Sequence, residues 1–339
     1  MDVQLVPVDP LSPAHGQVFA DWLGVHSAAS RHTFGEGASI WAAEEVRAMH
    51  GSDAVRRLAT AAREPGGAVV GALEVMLPLR DNLSVAEVWL SVLPARRRHG
   101  VGSTLLHAAE QQAREHHRTV LRATTEWRAG ADDTSGEGFA RTKGYAVAQT
   151  ALRSRLPLPA PREALESMLA RNPGDYAIET SWDGIPDAWL EDRAHLSRRM
   201  STDIPLDELV AEEEDWDAER LRAKLERERE AGRLLLEAVV RHLPTGRLVG
   251  HTDLAVTPPD RELAYQLDTF VLDEHRGHGL GLRLKAANLL ALMDGLPEVA
   301  AVRTWNAQEN EHMLAVNRRL GFEVDGYERA WQKIVAVPG

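Results

Sequence analysis

The sequence predicts a mixed α/β protein that consists of two consecutive domains of the same kind. The segment 92–102 recurs as 271–281, with valine, arginine and two glycines in matching places at a constant offset of 179 residues (271 minus 92). A fixed register of this kind indicates that a whole domain was duplicated. The 339 residues are enough for two domains that each bury a core of their own.

The order of the predicted elements in the first half also favours this fold class. Alternating apolar residues predict strands, and a period of 3.6 residues predicts helices. In chain order we expect a strand at 4–8, helices within 12–50, strands at 53–62, 67–77 and 85–92, a helix at 102–116, a strand at 119–125, a short helix at 135–143 and a last strand. Strands in hairpins followed by a β-α-β-α-β tail are typical of a mixed sheet covered by helices.

The second half repeats this order. We expect a strand at 176–180, helices up to about 231, strands at 233–242, 247–256 and 263–272, a helix at 281–293, a strand at 300–304, a helix at 309–320 and a final strand. The charged stretch 207–230 is predicted to be a solvated helix that ends at Gly232, because acids and bases lie three and four residues apart. A lid or entrance that attracts amines is the alternative.

A proline-rich stretch at 157–161 is the predicted linker between a first domain, 1–156, and a second domain, 162–339. Three prolines in five residues disfavour both helix and central strand. The first 156 residues contain 17 Lys+Arg and 17 Asp+Glu, which leaves 22 and 34 for the rest, so the net charge of −12 lies in the second half. This balance disfavours general nucleic-acid binding and would attract a cationic small molecule, although an acidic surface more often serves solubility alone.

The chain contains no cysteine, which excludes disulfides, thiolate metal sites and a cysteine nucleophile. The start MDVQLVPVDP has no secretion-signal pattern, and no run of roughly 20 apolar residues could cross a bilayer. A cytoplasmic protein without a membrane partner is the expectation. We interpret His251, His275 and His278 as scattered loop histidines rather than metal ligands, and we expect no metal.

The repeated segment has the composition of an anion-binding turn. Between a predicted strand and a predicted helix, 276–281 (RGHGLG) brings backbone N–H groups and the positive end of a helix to one point. Glycine is needed because a Cβ would hold a phosphate away from the backbone, and the arginine adds charge and donors. The spacing fits neither a dinucleotide-binding G-x-G-x-x-G nor a Walker loop.

At these residues the sequence resembles the GNAT superfamily of acyl-CoA N-acyltransferases, in its tandem two-domain form as in mycothiol synthase-like proteins. Its signature [QR]-x-x-G-x-[GA] is matched from Arg97 to Gly102 and from Arg276 to Gly281. The resemblance implies two tandem GNAT-like domains, acetyl-CoA as donor, and a fourth and fifth strand that splay to admit it. The coenzyme-binding residues that it implies are Val92, Leu93, Arg97, Arg98, His99, Gly100, Val101 and Gly102, then Val271, Leu272, Arg276, Gly277, His278, Gly279, Leu280, Gly281, Asn306 and Asn310.

Acetyl transfer to an alkylamine needs a base, because the amine, with a pKa near 10, is mostly protonated at neutral pH. Strand alternation places Gln266 and Asp268 on one face, and Asp268 precedes by three residues the amide of Val271, which with that of Leu272 is a predicted oxyanion donor. Asp268 is therefore the first candidate base. Glu262 and, in the first half, Glu87 are further candidates.

The family often has a tyrosine acid four residues before a G-[FY] turn, and this chain has Asn317 and Ala140 at those positions. Tyr327, Tyr265 or water would have to replace it. Asn306 and Glu309 read as a helix capping box, although Asn310 matches the family asparagine that contacts the coenzyme. The second domain keeps more of the family pattern and is the expected catalyst.

These observations predict an N-acetyltransferase that acts on a primary amine of a small molecule by direct attack. The chain is expected to be a monomer or a homodimer. Two alternatives stay open: a non-catalytic acyl-CoA-binding or sensing protein, which the missing tyrosine favours, and an antibiotic-modifying acetyltransferase, which shares the chemistry and differs in acceptor.

Overall fold

The structure is a computed structural model that describes residues 2–131, 135–171, 174–182, 184–257 and 260–335. No helix within these ranges is long and apolar enough to span a membrane. In chain order the elements are β1 (Gln4–Val8), α1 (Gly16–Phe34), α2 (Ala43–His50), β2 (Val55–Arg63), β3 (Val69–Pro78), β4 (Val85–Val92), α3 (Val101–Glu115), β5 (Val120–Arg128), α4 (Ser135–Thr142), β6 (Ala146–Pro157), α5 (Arg162–Ala170), β7 (Tyr176–Trp182), α6 (Leu190–Asp203), α7 (Ala218–Glu230), β8 (Leu234–His242), β9 (Leu248–Thr257), β10 (Asp260–Val271), α8 (Leu280–Gly295), β11 (Ala301–Ala307), α9 (Glu311–Leu320) and β12 (Glu323–Ile334).

The chain forms two compact units. Unit 1 comprises the residues up to Thr150, the short segment Leu206–Val210 and the residues from Gly326 on. Unit 2 comprises Ala151–Pro205 and Ala211–Asp325. The mixed α/β class and the tandem arrangement predicted from the sequence are confirmed.

Unit 1 is a sheet with the strand order β1-β2-β3-β4-β5-β12, in which β4 and β5 are parallel and the other neighbours are antiparallel. Successive residues of β3 enter different cores: Ala72 packs with Phe19 and Trp22 of α1, whereas Leu73 packs with Leu105 of α3. Both faces of the sheet are therefore covered by helices, which explains the nearly continuous apolar sequence of β3.

Unit 2 repeats this sheet with the order β7-β8-β9-β10-β11-β6, in which β10 and β11 are parallel. Leu254 and Ala264 pack with Leu282 and Leu289 of α8 in one core. A second core joins α6 to the neighbouring strands through other residues: Leu196, Val239 and Phe270.

The last strand of each sheet differs from the predicted division into 1–156 and 162–339. Residues Gly326–Ile334 of β12 pair antiparallel with β5 and belong to unit 1, although they end the second half of the sequence. In unit 2 the corresponding place beside β11 is taken by Ala151–Pro157 of β6. A strand pattern specifies which face of a strand is buried but does not specify its neighbour, so the sequence alone could not assign these partners.

The predicted linker at 157–161 is part of unit 2. Pro157 closes the β6/β11 ladder opposite Ala301, and the Leu158 N–H donates to the Ala300 carbonyl at 2.8 Å. Ala160 is buried in the core of this unit. Proline is compatible with the end of a strand, and for this reason the stretch terminates β6 rather than connecting two domains.

The helix predicted for 207–230 is shorter than expected, and the prediction for 207–217 is wrong. Helix α7 begins at Ala218, where the Asp217 carboxylate accepts the Arg220 N–H at 2.7 Å. Upstream, the Val210 N–H donates to the Gln332 side chain at 3.0 Å within unit 1. The Val210 N–H is bonded to Gln332 instead of to a helical carbonyl, and Asp217 is a strong N-cap, so the helix begins at Ala218. A pattern of charged residues shows neither of these contacts.

We predict that Trp331→Ala destabilises unit 1 by about 3–5 kcal/mol, because a large buried side chain is removed. Trp331 is 0% exposed and donates its indole N–H to Thr125 of β5 at 2.8 Å. Hydrogen exchange followed by peptide should show faster exchange across β5. The matched control, Ile334→Ala on the same strand, removes a side chain that is 66% exposed and should change little.

Candidate functional site

Strands β10 and β11 of unit 2 separate part of the way along their length. Their parallel pairing runs only from Leu263/Ala301 to Tyr265/Arg303, whereas β10 continues to Val271. At the point of separation the register between β10 and β9 shifts between Gln266 and Thr269, as in a β-bulge. Bulges redirect side chains and end pairing next to functional sites. The separated strands leave a gap that begins beside Gln266.

Unit 1 has the same separation without the bulge. Strands β4 and β5 pair from Val85/Val120 to Val88/Ala123, and β4 continues to Val92. The register between β3 and β4 is regular along this stretch. The splay implied by the family resemblance is therefore present in both units, but only unit 2 carries the irregularity at the strand that borders it.

The glycine turns lie at the ends of β4 and β10. Gly100 and Gly279 have positive φ angles of 89° and 70°, and each precedes a helix without any side-chain cap. The first N–H groups of α3 and α8 are thus left for an external acceptor. Gly277 also has a positive φ, 85°, and Arg98 adopts the same conformation at the equivalent position with φ of 65°.

The arginines of the two signatures take equivalent positions. Arg276 Nε donates to the Val271 carbonyl at 3.0 Å, and Arg97 Nε to the Val92 carbonyl at 3.4 Å. Arg276 also pairs with Asp273. Each guanidinium lies at the junction of strand and turn, where it adds positive charge to the helix N-terminus.

The two turns differ at their second glycine, Gly102 or Gly281, whereas a Cβ at Gly100 of unit 1 also has no heavy atom within 4 Å. A Cβ at Gly279 or Gly281 would have no heavy atom within 4 Å, so the turn of unit 2 is open. A Cβ at Gly102 would lie 3.5 Å from the Phe139 ring of α4. The side chain of Phe139 therefore narrows the space in front of the turn in unit 1.

The two predicted oxyanion amides are not equivalent. The Leu272 N–H donates to the Val249 carbonyl at 2.9 Å, and Leu93 donates in the same way to Val70. The Leu272 and Leu93 amides are thus engaged within the sheet, which leaves Val271 of the two alternatives for the oxyanion donor. Donors alternate in direction along an antiparallel strand, so the Val271 N–H points to the opposite side, toward the gap.

The candidate base Asp268 is half-buried at the bulge, next to a buried ion cluster. Burial lowers the pKa of His251 of β9, and the charge of Asp268 is the smallest of the contributions that oppose this shift; Asp268 also makes the smallest contribution at Arg193 of α6. The predicted shared face of Gln266 and Asp268 does not occur, because the bulge interrupts alternation: the Gln266 amide instead donates to Thr252 Oγ1 at 2.9 Å. Asp268 thus has a different environment from Gln266.

The ion cluster itself was not predicted. Arg193 donates through Nε to Glu237 of β8 and through a terminal nitrogen to both oxygens of Asp253 of β9 at 3.3 Å. The His251 Nδ1 atom lies 3.1 Å from Asp253. All four side chains are buried. They come from three elements far apart in sequence, so no local motif marks them.

Burial and charge act against each other in this cluster. Burial raises the pKa of Glu237 well above its usual range, with Arg193 opposing. Burial also acts to raise the pKa of Asp253, but Arg193 and His251 outweigh it and hold that pKa well below its usual range. Burial lowers the pKa of His251, so its imidazole is neutral at neutral pH. The surroundings therefore favour the charged form of Asp253 more than that of Glu237.

A narrow cleft in unit 2 reaches this cluster. Its charged walls include Arg193, Glu237 and Asp253, and its bulge-side wall is Leu267. Apolar residues form much of the remainder: Ile185, Leu221, Leu225 and Leu235. Lys224 and Glu228 also line the cleft, so the cleft, with a volume of about 30 Å³, combines apolar residues with charges of both signs.

We predict that Arg193→Met destabilises unit 2 by about 3–5 kcal/mol, because it leaves two buried acids without their cation. Urea unfolding followed by tryptophan fluorescence measures the change. The exposed arginine Arg222 provides the control, since its pair with Asp187 is exposed on both sides and Arg222→Met should alter stability by less than about 1 kcal/mol. Equal stability of the two variants would contradict the prediction.

In unit 1 the place of Asp268 is taken by Trp89, at the same offset of 179 residues (268 minus 89). Its ring stacks on His26 at 3.6 Å and meets Trp22 edge-on at 5.8 Å. Glu87, the predicted base of this half, forms an ion pair with Arg122 of β5. Burial raises the pKa of Glu87, and Arg122 opposes this shift.

Glu262 lies before the gap begins, and Tyr327 belongs to the other unit. Glu262 is exposed near the start of β10, where β10 and β11 are still paired, and its backbone carbonyl accepts the Ala300 N–H. Tyr327 belongs to unit 1, where it stacks on Trp127 of β5 with ring centroids 5.2 Å apart. Asp268 is the predicted carboxylate that borders the gap of unit 2.

The two asparagines have exchanged their expected roles. Asn310, not Asn306, caps α9 and accepts the Met313 N–H at 3.1 Å, so the capping box predicted at Asn306 is wrong. Asn306 lies on β11 beyond the last residue paired with β10, and its side chain accepts the Asn317 amide at 2.6 Å. Asn306 is therefore the asparagine that borders the gap.

The histidine interpretation is partly wrong. His275 and His278 lie in the turn, near Tyr176, but His251 is a buried strand residue. Ligand atoms of Glu237, His251 and Asp253 lie within 4.8 Å of one another. Because the Arg193 guanidinium contacts both of these carboxylates, we describe the group as an ion cluster rather than a metal centre.

Comparison with known proteins places this geometry in context. Residues 22–133 match the acetyltransferase (GNAT) family model. No curated protein matches the chain by sequence. Among solved structures, the chain is similar to a tandem GNAT protein from the clavulanic acid biosynthesis pathway, with 28% identity, all of both chains covered and a TM-score of 0.82.

Two further structures share the fold at lower identity. A GCN5-related N-acetyltransferase from Sphaerobacter thermophilus is 20% identical over 99% of this chain and 96% of its own, with a TM-score of 0.66. A glucosamine N-acetyltransferase region of a fungal multi-domain β-N-acetylglucosaminidase is 13% identical, with the same TM-score, and is covered over 38% of its length.

Proposed function

We propose that this tandem member of the GNAT acetyltransferase family moves an acetyl group from acetyl-CoA to a primary amine of a small molecule. Unit 2 is the proposed catalyst. One observation carries the proposal: in unit 2 the gap between β10 and β11 leads from an open, uncapped helix N-terminus to a half-buried carboxylate. Without cysteine in the chain, direct attack by the amine is the simplest route.

The proposed coenzyme site uses backbone groups for most of its contacts. The N–H groups of the first turn of α8 would bind the pyrophosphate, assisted by the charge of Arg276. The Val271 N–H, directed toward the gap, would donate to the oxygen of the tetrahedral intermediate. A preorganised donor of this kind stabilises charge that develops only during the reaction, which is why it accelerates acyl transfer.

Asp268 is the proposed base. It would take a proton from the alkylammonium, so that the neutral amine attacks the thioester carbon; the C–S bond then breaks, and the second proton that the nitrogen loses goes to the departing thiolate. The net charge of −12 supports a cationic acceptor, because an acidic protein attracts an ammonium ion. A cytoplasmic location and a monomeric or homodimeric state accompany this proposal as predictions.

The proposal assigns unit 1 a supporting role. Trp89 replaces the base, and Phe139 narrows the space before the turn. Unit 1 also retains a buried acid at the position of Asp253, since Glu74 pairs with Arg57 at 2.7 Å and with His50 at 2.6 Å. The corresponding region of unit 1 thus contains these ion pairs and the stacked rings of Trp89 and His26.

Titration with acetyl-CoA, combined with release of free thiol across a panel of amines, tests the function. Amine-dependent thiol release supports an acetyltransferase. Tight coenzyme binding without such release would instead support the alternative, a non-catalytic acyl-CoA sensor. Activity confined to aminoglycosides or other antibiotic amines would identify an antibiotic-modifying enzyme.

A further inference from the structure

A buried lysine in unit 2 lies at the end of a hydrogen-bonded chain that reaches the gap. Lys285 of α8 is 1% exposed, and its Nζ donates to Asn317 Oδ1 of α9 at 2.7 Å. Asn317, itself 2% exposed, donates through Nδ2 to Asn306 Oδ1 at 2.6 Å. The three side chains connect the interior of unit 2 with the strand that has separated from β10.

The surroundings of Lys285 contain little that would hold a charge. Its Nζ lies 5.9 Å from the centroid of the Phe322 ring, and burial lowers the pKa of Lys285 to about 7. The charged side chains on α8 and on the elements packed against it include Arg162, Glu163 and Glu166 on α5, Glu179 on β7, Glu237 on β8, His251 and Asp253 on β9, Arg261, Glu262 and Asp268 on β10, Arg283 and Asp294 on α8, and Glu311, His312, Arg318 and Arg319 on α9.

None of these groups contributes to the shift of the Lys285 pKa, whose cause is burial. Several are engaged elsewhere: Asp294 pairs with Arg162, and Arg283 donates to the Leu169 carbonyl at 3.1 Å. A structural anchor between α8 and α9 would be served equally well by an uncharged donor, without the cost of desolvating an ammonium group.

We propose that Lys285 is a positioning residue for acyl transfer in unit 2: its ammonium group fixes the orientation of the Asn317 and Asn306 amides at the border of the gap. An ammonium only donates, so Asn317 must turn its oxygen to Lys285 and its nitrogen to Asn306. Asn306 then accepts through its oxygen and presents its own amide nitrogen as a donor for the coenzyme. This inference rests on the proposed function of unit 2.

Loss of a proton from the Lys285 ammonium would leave the orientation of the Asn317 and Asn306 amides undetermined. A neutral amine can accept as well as donate, so both amides could turn round and Asn306 would present an oxygen instead of a donor. Below the pKa of Lys285 the hydrogen bonds from Lys285 to Asn306 have one fixed direction, and this fixed direction is lost as the pH rises through about 7.

The test compares pH profiles of kcat and KM for amine-dependent thiol release in the full chain and in Lys285→Met. We expect kcat to fall about 10- to 100-fold near pH 6.5, with KM for the amine little changed and the alkaline decline of kcat absent. The melting temperature should be equal or higher, because a buried cation is replaced by an apolar side chain.

Asn317→Asp is the second variant. A carboxylate favours the charged form of Lys285 but only accepts hydrogen bonds, so Asn306 would turn its nitrogen to residue 317 and its oxygen to the gap; kcat should fall at every pH although the ammonium is retained. Lys333→Met, which removes a lysine of unit 1 paired with Glu110, controls for a general loss of positive charge and should keep the wild-type profile. Wild-type profiles in both Lys285→Met and Asn317→Asp would overturn the inference, as would a fall in kcat that only parallels loss of folded protein. Absence of thiol release in the wild type would overturn the proposed function itself.

Discussion

Gly281→Glu is expected to abolish coenzyme binding in unit 2 while the fold stays intact. A Cβ at this position meets no heavy atom within 4 Å, and a glutamate in the first turn of α8 interacts favourably with the helix dipole. The same carboxylate would occupy the space proposed for the pyrophosphate and repel it. We expect the affinity of unit 2 for acetyl-CoA to fall at least a hundredfold, which corresponds to about 2.7 kcal/mol.

Calorimetric titration with acetyl-CoA measures this effect, and the melting temperature reports on the fold. The control Gly281→Ala introduces a Cβ without charge and should bind more tightly than the glutamate variant. The corresponding change in unit 1, Gly102→Glu, shows whether unit 1 or unit 2 binds acetyl-CoA. Full activity in Gly281→Glu together with inactivity in Gly102→Glu would move catalysis to unit 1.

Asp268→Asn is expected to lower kcat by about two to four orders of magnitude, the usual contribution of a general base. The loss should be greatest at low pH, where the neutral amine is scarce and must be generated at the site. Rates of thiol release measured between pH 6 and 9 give the profile.

Two comparisons make this result specific to Asp268. Glu262→Gln changes the other candidate carboxylate of β10, which is exposed where the strands are still paired, and should keep the wild-type rate. The melting temperature of Asp268→Asn shows whether the neighbouring ion cluster is intact. An equal loss at every pH, or no loss, would exclude Asp268 as the base.

Much of the fold was accessible from residue patterns alone. The glycine turns have local causes: Gly279 adopts a positive φ that glycine tolerates, and the helix after it follows from apolar periodicity. The duplicated segment predicted the tandem arrangement, because both copies form the same strand, turn and helix. Features of this kind depend on residues close together in the chain, which is why they can be predicted.

Prediction failed where the outcome depends on distant partners. The ion cluster of Arg193, Glu237 and Asp253 assembles from one helix and two strands, and Lys285 meets Asn317 from another helix. The bulge after Gln266 reversed the expected facing of Asp268. Each of these requires the register of neighbouring strands or the packing of helices, which single-sequence periodicity does not contain.

By itself the sequence determined the element order, the two glycine turns with their arginines and the absence of cysteine chemistry, since each is a property of local residue types. The tertiary structure decided which strand closes each sheet, which turn is open and which polar side chains are buried together. The physical reason is that backbone conformation follows from neighbours along the chain, whereas burial, strand pairing and shifted pKa values arise from neighbours in space.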